Sequence, residues 1–259
     1  MKQPIGIFDS GIGGTSIWKE VVHLLPYEST LFLADSANAP YGEKTKEEIL
    51  SLSIKNTEYL LKKGAKLIVV ACNTATTNAI ATLRETYAVP FIGIEPAIKP
   101  AALKTQTGVV GVLATKGTLS SGLFHNTTKM HASGIRVIEQ VGTGLVDLIE
   151  EGKLESKEMR DLLGTYIYPM IAKGMDCLVL GCTHYPYLIP ILKDMIPSDI
   201  TILDSGLAVA KQTKTVLEKN NLLAPKTALV DHCLYSNKDA VLLKQFVPLK
   251  RAKVAYLDF

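Results

Sequence analysis

Lys63-Gly64-Ala65-Lys66-Leu67-Ile68-Val69-Val70-Ala71-Cys72 aligns without a gap on Lys173-Gly174-Met175-Asp176-Cys177-Leu178-Val179-Leu180-Gly181-Cys182. Each copy reads as a Lys-Gly pair, a spacer, an apolar run of strand length and then a cysteine. A fainter echo sets Gly6-Ile7-Phe8-Asp9-Ser10 against Gly111-Val112-Leu113-Ala114-Thr115. Such a repeat points to two similar α/β lobes. Ligands of open α/β sheets bind beyond the carboxyl ends of the strands, which is where Cys72 and Cys182 both stand. Two facing lobes would present one thiol from each side of a cleft. Lys-Gly pairs and apolar strands are common, so chance similarity competes with this reading until the rest of the chain is weighed.

Outward from the repeat, short apolar runs at 5–8, 30–34, 67–71, 91–94, 109–113, 136–140, 177–180 and 201–203 read as strands. They lack clean alternation, as expected when both faces of a parallel sheet are covered. Helical patterns lie between them, most clearly over 45–63. There Thr45 and Glu48 make a capping-box pattern and Gly64 supplies the stop. Alternation of the two element types predicts an α/β fold with mainly parallel sheets, two pseudo-symmetric lobes and an active site in the cleft between them. The Glu95-Pro96-Ala97-Ile98-Lys99-Pro100 stretch is the expected first crossover and Asp204-Ser205-Gly206 the return. Residues 1–95 with 206–259 would form the first lobe and 96–205 the second.

Bulk properties narrow the class. A chain of 259 residues, 47% hydrophobic and 20% charged, can bury a sizeable core in one large or two medium domains. The net charge of +3 is small and no dense Lys/Arg tract occurs, so nothing argues for nucleic acid. No apolar run approaches the roughly 18 residues that a membrane span needs. The opening Met-Lys-Gln-Pro-Ile lacks a signal-type apolar region, and the expected location is cytoplasmic. Free thiols are then expected for Cys72, Cys177, Cys182 and Cys233. The spacing of Cys177 and Cys182 is no standard zinc motif, and no metal is expected.

Two opposed thiols suit one kind of chemistry. Racemising an amino acid removes the α-proton from one face and delivers a proton to the other. The carbon acid is very weak, so a two-base route needs a base on one face and an acid on the other. A thiol, with an ordinary pKa of about 8.5, supplies either form near neutral pH after modest tuning. For Cys177, inside an apolar strand, and Cys233, without a partner motif, a buried structural role is the better reading. Cys72-Asn73-Thr74 and Cys182-Thr183-His184 each follow a strand and precede a helical stretch. Hydroxyls, an amide and the N–H groups of a helix start can hold carboxylates there. His184 stands near one thiol and Asp9, at the end of the first strand, near the other. The turn Asp9-Ser10-Gly11-Ile12-Gly13-Gly14-Thr15 also invites a dinucleotide reading. It has Ser16 where the third glycine belongs, yet Asp35 lies at a tolerable spacing for a ribose-binding acid, so that alternative is weakened but open.

Four motifs in order carry a resemblance that covers nearly the whole chain. They are Phe8-Asp9-Ser10-Gly11-Ile12-Gly13-Gly14, Asp35-Ser36-Ala37-Asn38-Ala39-Pro40-Tyr41-Gly42, Val70-Ala71-Cys72-Asn73-Thr74-Ala75 and Leu180-Gly181-Cys182-Thr183-His184-Tyr185-Pro186. The chain resembles the glutamate racemases, of the aspartate/glutamate racemase superfamily. The resemblance implies that Cys72 takes the α-proton from D-glutamate and Cys182 from L-glutamate, assisted by Asp9 and His184 respectively, with no cofactor. It implies substrate contacts from Asp9, Ser10, Tyr41, Gly42, Asn73, Thr74, Thr183 and His184, and from Thr115 and Thr118 of the second lobe. Glu150 resembles a cleft acid of part of the family, with a surface role equally open. The implied role is supply of D-glutamate for peptidoglycan, hence for the cell wall and cell shape. The expected partners are glutamate and, in a homodimer, a second copy of the chain.

One departure stands out. The family often has an aromatic followed by a Thr/Ser-Gly-Asp run near the C-terminus, whereas Tyr235-Ser236-Asn237-Lys238-Asp239 places Asn237 where the glycine belongs. Asparagine tolerates left-handed backbone well, so the turn is expected to persist. Three rivals remain at this stage. One is an aspartate racemase or other two-cysteine racemase. The second is a non-catalytic amino-acid-binding protein, which has no need of two matched thiols. The third is a thiol redox protein, which needs them within bonding distance.

Overall fold

The computed structural model describes residues 3–259. Its strands are β1 (Ile5–Asp9), β2 (Thr30–Ala34), β3 (Leu67–Val70), β4 (Phe91–Gly93), β5 (Val109–Ala114), β6 (Arg136–Val141), β7 (Cys177–Gly181), β8 (Thr201–Leu203), β9 (His232–Ser236) and β10 (Lys253–Tyr256). The helices are α1 (Thr15–Leu24), α2 (Lys46–Lys62), α3 (Asn73–Thr86), α4 (Ile98–Lys104), α5 (Lys116–Leu119), α6 (Gly122–His131), α7 (Leu145–Glu150), α8 (Lys157–Ala172), α9 (Ile189–Met195), α10 (Gly206–Lys219) and α11 (Ala240–Gln245).

The strands form two sheets, ordered β10-β9-β2-β1-β3-β4 and β6-β5-β7-β8. Every pairing among the described residues is parallel. The α/β expectation with two parallel-sheeted lobes is borne out. The second sheet reproduces the β2-β1-β3-β4 block of the first, and the match extends to register. Gly6 faces Ile68 across β1 and β3, and Gly111 faces Leu178 across β5 and β7. These are the positions that the sequence repeat equates. The strands leading to the two cysteines are buried throughout, with every residue of β3 at 0% exposure. Each such aliphatic side chain contributes about 1.5–3 kcal/mol by leaving water. This explains why the strands read as continuous apolar runs.

The helices preceding these strands end alike. α2 starts on the expected capping box: the Glu48 N–H donates to Thr45 Oγ1 at 3.2 Å and the Thr45 N–H to Glu48 Oε2 at 2.8 Å. It stops at Gly64, with φ of +81°, as α8 stops at Gly174, with φ of +87°. Only glycine enters this region freely, so the repeated Lys-Gly is a helix stop before each cysteine strand. Two strands escaped the sequence reading. β9 and β10 extend the first sheet beyond β2, and β10, at its edge, buries none of its residues fully. An edge strand carries little apolar signal. The turn after β9 also differs from expectation. Among the described residues other than glycine only Gln3 and Asn221 have positive φ, so Asn237 does not take the left-handed backbone foreseen for it.

Candidate active site

β1 delivers Asp9 and Ser10, and β3 delivers Cys72, to adjacent strand ends of the first sheet. Strand order reverses direction between these two strands, the usual ligand edge of a doubly wound sheet. β5 and β7 do the same for Thr115 and Cys182 in the second sheet. Each cysteine thus arises at the equivalent place in its own lobe.

Cys72 caps α3: the Ala75 N–H donates to its Sγ at 3.4 Å, and the thiol faces Ser10 Oγ at 3.6 Å. Burial, and after it the charge of Asp9, push the thiol upward in pKa, against the Ala75 N–H and Ser10 bonds. Cys72 is a protonated thiol at neutral pH, and its thiolate, once formed, is a strong base. Asp9 is fully buried. Its Oδ2 accepts the Gly14 N–H at 2.7 Å and its Oδ1 accepts from Thr183 Oγ1 at 3.2 Å. Burial raises its pKa from 3.8 to about 6, although His184 and the Gly14 N–H pull the other way. Asp9 makes no hydrogen bond to Cys72; it acts on that thiol through its charge.

On the other lobe, Cys182 Sγ lies 3.8 Å from His184 Nδ1, and His184 Nε2 lies 2.7 Å from Glu150 Oε1. Burial disfavours the imidazolium, but the contacts with Cys182 and Glu150 outweigh it and hold the pKa of His184 well above the ordinary value. Burial likewise opposes ionisation of Glu150, yet its bonds from His184 and the Ile12 N–H, at 2.6 Å, keep its pKa below the usual range. The Gly13 N–H also points at His184 Nε2, at 3.2 Å. A protonated ring has no lone pair there, so the ion pair with Glu150 governs that nitrogen. Of the two positions left open by sequence, Glu150 does not take the surface one: its side chain is 6% exposed and lies against His184.

Both cysteines line a single cavity of about 10 Å³. Ser10, Tyr41, Gly42, Asn73, Thr74, Thr115, Thr183 and His184 share its wall. Thr118 stands just behind, 3.3 Å from Thr74 and 3.0 Å from Thr115 between hydroxyl oxygens, and Asp9 lies behind Thr183. Pro40 and Val146, for which no role is expected from sequence, also stand in the wall. Val146 sits on α7, which carries no motif. The cysteines are free and unbonded. A larger space of about 410 Å³ adjoins the cavity at Pro40, Gly42, Thr115 and Val146, and has the size of a small-molecule pocket. Asp35, weighed as a ribose acid, is buried and occupied by Tyr41, Asn38 and Asn237, and so is not free for a ribose. Cys177 is buried in its strand, as expected. Among the described residues no group of three His, Cys, Asp or Glu side chains is placed to hold a metal ion, and no helix is long and apolar enough to cross a membrane.

A matched pair of thiols between two repeated lobes defines a class. The chain belongs to the Asp/Glu/Hydantoin racemase family, whose model matches residues 13–213. This bears out the resemblance seen in the four motifs. Among individual relatives, a glutamate racemase of Ectopseudomonas mendocina is 47% identical over 247 residues, 95% of this chain and 94% of that one. Escherichia coli glutamate racemase, solved with L-glutamate and the activator UDP-MurNAc-ala, superposes with a TM-score of 0.83 at 32% identity, covering 99% of this chain and 100% of that one. A Bacillus anthracis glutamate racemase isoform gives 0.86 at 28% identity, covering 99% and 97%.

Proposed function

We propose that the chain interconverts L- and D-glutamate by a cofactor-independent, two-base mechanism with Cys72 and Cys182 as the acid/base pair. One observation carries the reading: the two cysteines of the repeat line one cavity from opposite lobes. In the D-to-L direction the Cys72 thiolate takes the α-proton, and the Cys182 thiol gives a proton to the opposite face. The return reaction exchanges these roles. Asp9, buried beside Cys72 with its pKa raised to about 6, is the proposed assisting base for that thiol. The His184 imidazolium, backed by Glu150, serves Cys182 as proton donor and restores its charge state.

The polar wall supports an amino-acid dicarboxylate. Asn73 Oδ1 is buried without a hydrogen-bond partner and suits an ammonium donor. The N–H groups at the start of α3 suit one carboxylate, and the hydroxyls of Thr74, Thr115 and Thr118 suit the other. With Ser10, Tyr41, Gly42 and Thr183 these are the proposed substrate contacts. We assign residues 1–95 with 206–259 to one lobe and 96–205 to the other. The proposed setting is a cytoplasmic homodimer supplying D-glutamate to peptidoglycan. The test is circular dichroism of the purified protein with L-glutamate and no added cofactor. The optical signal should decay to zero; a signal that persists, or decays only after pyridoxal phosphate is added, would refute the reading.

A further inference from the structure

The amide of Asn237 joins two parts of the first lobe that sequence alone does not connect. Asn237 follows β9, whose last residue, Ser236, pairs with Ala34 at the end of β2. Its Nδ2 donates to Asp35 Oδ1 at 2.5 Å, and its Oδ1 accepts the Ala37 N–H at 2.8 Å. Only this orientation of the amide works. Reversed, it would set an oxygen against a carboxylate and an NH₂ against an N–H. Asp35 is fully buried, and no cation pairs with it among the described residues. Its charge is met by side-chain donors from Asn38, Tyr41 and Asn237. The Tyr41 hydroxyl donates to Asp35 Oδ2 and accepts from Asn56 Nδ2 at 3.2 Å. Tyr41 itself is 1% exposed and forms part of the cavity wall that holds Cys72.

We propose that Asn237 is a positioning residue for substrate binding, fixing the pocket wall at Tyr41 and Gly42 through Asp35. This rests on the glutamate racemase reading above. The side chain does what the glycine expected at this place cannot: it ties the segment after β2 to the segment after β9 and completes the shell of a buried carboxylate. A buried charge that loses one of its donors pulls harder on those that remain. Tyr41 is one of these, so its ring shifts with the carboxylate. Such a shift weakens ground-state and transition-state binding together, which raises KM and leaves kcat nearly unchanged. Because the overall equilibrium constant of a racemisation is one, kcat/KM must change equally for both enantiomers.

The test is steady-state racemisation of glutamate by the full chain carrying Asn237→Ala, with Asn237→Gly as a second variant in case the first does not fold. Both are made alone and in a Tyr41→Phe background, where the hydroxyl link to Asp35 is cut. The expected result is a KM about tenfold higher with kcat within about threefold, and a further change below about twofold in the Tyr41→Phe background. A purely structural role would lower the melting temperature and the active fraction but leave KM alone. Unchanged KM, or effects of the two substitutions that multiply fully, would overturn the proposal. A wild-type protein that did not racemise glutamate would instead overturn the underlying functional reading, so the two failures are distinguishable.

Discussion

Asp9 is ionisable and fully buried, and its raised pKa, about 6 against 3.8, has a consequence for stability. The folded protein binds the Asp9 proton more tightly than the unfolded chain does. The resulting stabilisation is complete below about pH 3.8 and lost as pH rises through about 6. Ionised Asp9 therefore costs the fold on the order of 3 kcal/mol at neutral pH, a cost consistent with use in catalysis. Asp9→Asn, which cannot ionise, should gain melting temperature relative to the wild type on going from pH 4 to pH 7.5. A difference independent of pH would show that the burial of Asp9 carries no such cost. At this scale much was legible. Asp9, Ser10, Cys72 and His184 all sit at strand ends, and strand ends can be read from local sequence. The partnership of Glu150 with His184 was not legible, because it joins α7 to a distant strand end. The clamp of Asn237 on Asp35 spans a still longer stretch of chain.

Elements bring these side chains close enough to act, and the glycine-rich turn between β1 and α1 sets the approach. A methyl group built on Gly13 would lie 2.6 Å from the His184 backbone nitrogen and would collide with the imidazole ring. Neither obstacle is the end of a flexible chain, so the His184 loop must move away. Gly13→Ala should lower kcat by about 100-fold or more, since a displacement of about 1 Å can cost that much, while the protein stays folded by far-ultraviolet circular dichroism. Activity near wild type would mean that this turn does not set the position of His184. The repeat made β3 and β7 legible, since each is a buried apolar run between a glycine helix stop and a cysteine. β9 was hidden because its burial is interrupted, and β10 because its edge position leaves it half exposed. Their sheet membership depends on pairing of β9 with β2 and of β10 with β9, and local pattern does not encode that.

At the scale of the whole molecule, the two sheets meet around a cavity of about 10 Å³, near the smallest that holds one water molecule, with the larger space of about 410 Å³ beside it. The two segments expected to cross between the lobes touch where Ser205 Oγ donates to the Glu95 carbonyl at 2.5 Å. A wall fitted to a dicarboxylate of fixed length should favour glutamate over the shorter aspartate by at least about tenfold in kcat/KM, or about 1.4 kcal/mol. Equal turnover of aspartate would remove the size selection. The central claim, one thiol for each face, is tested most directly by half-reactions of single-cysteine variants. An analogue bearing a leaving group on its β-carbon needs only α-proton removal: the departing group takes its electron pair and a carbon–carbon double bond forms. Serine is nearly isosteric with cysteine but far less acidic, so Cys72→Ser and Cys182→Ser should each abolish racemisation. Elimination should nonetheless continue, with Cys182→Ser, which keeps Cys72, acting on the D-analogue and Cys72→Ser, which keeps Cys182, on the L-analogue. If both variants eliminated the same enantiomer equally well, a single base would be serving both faces, contrary to the mechanism.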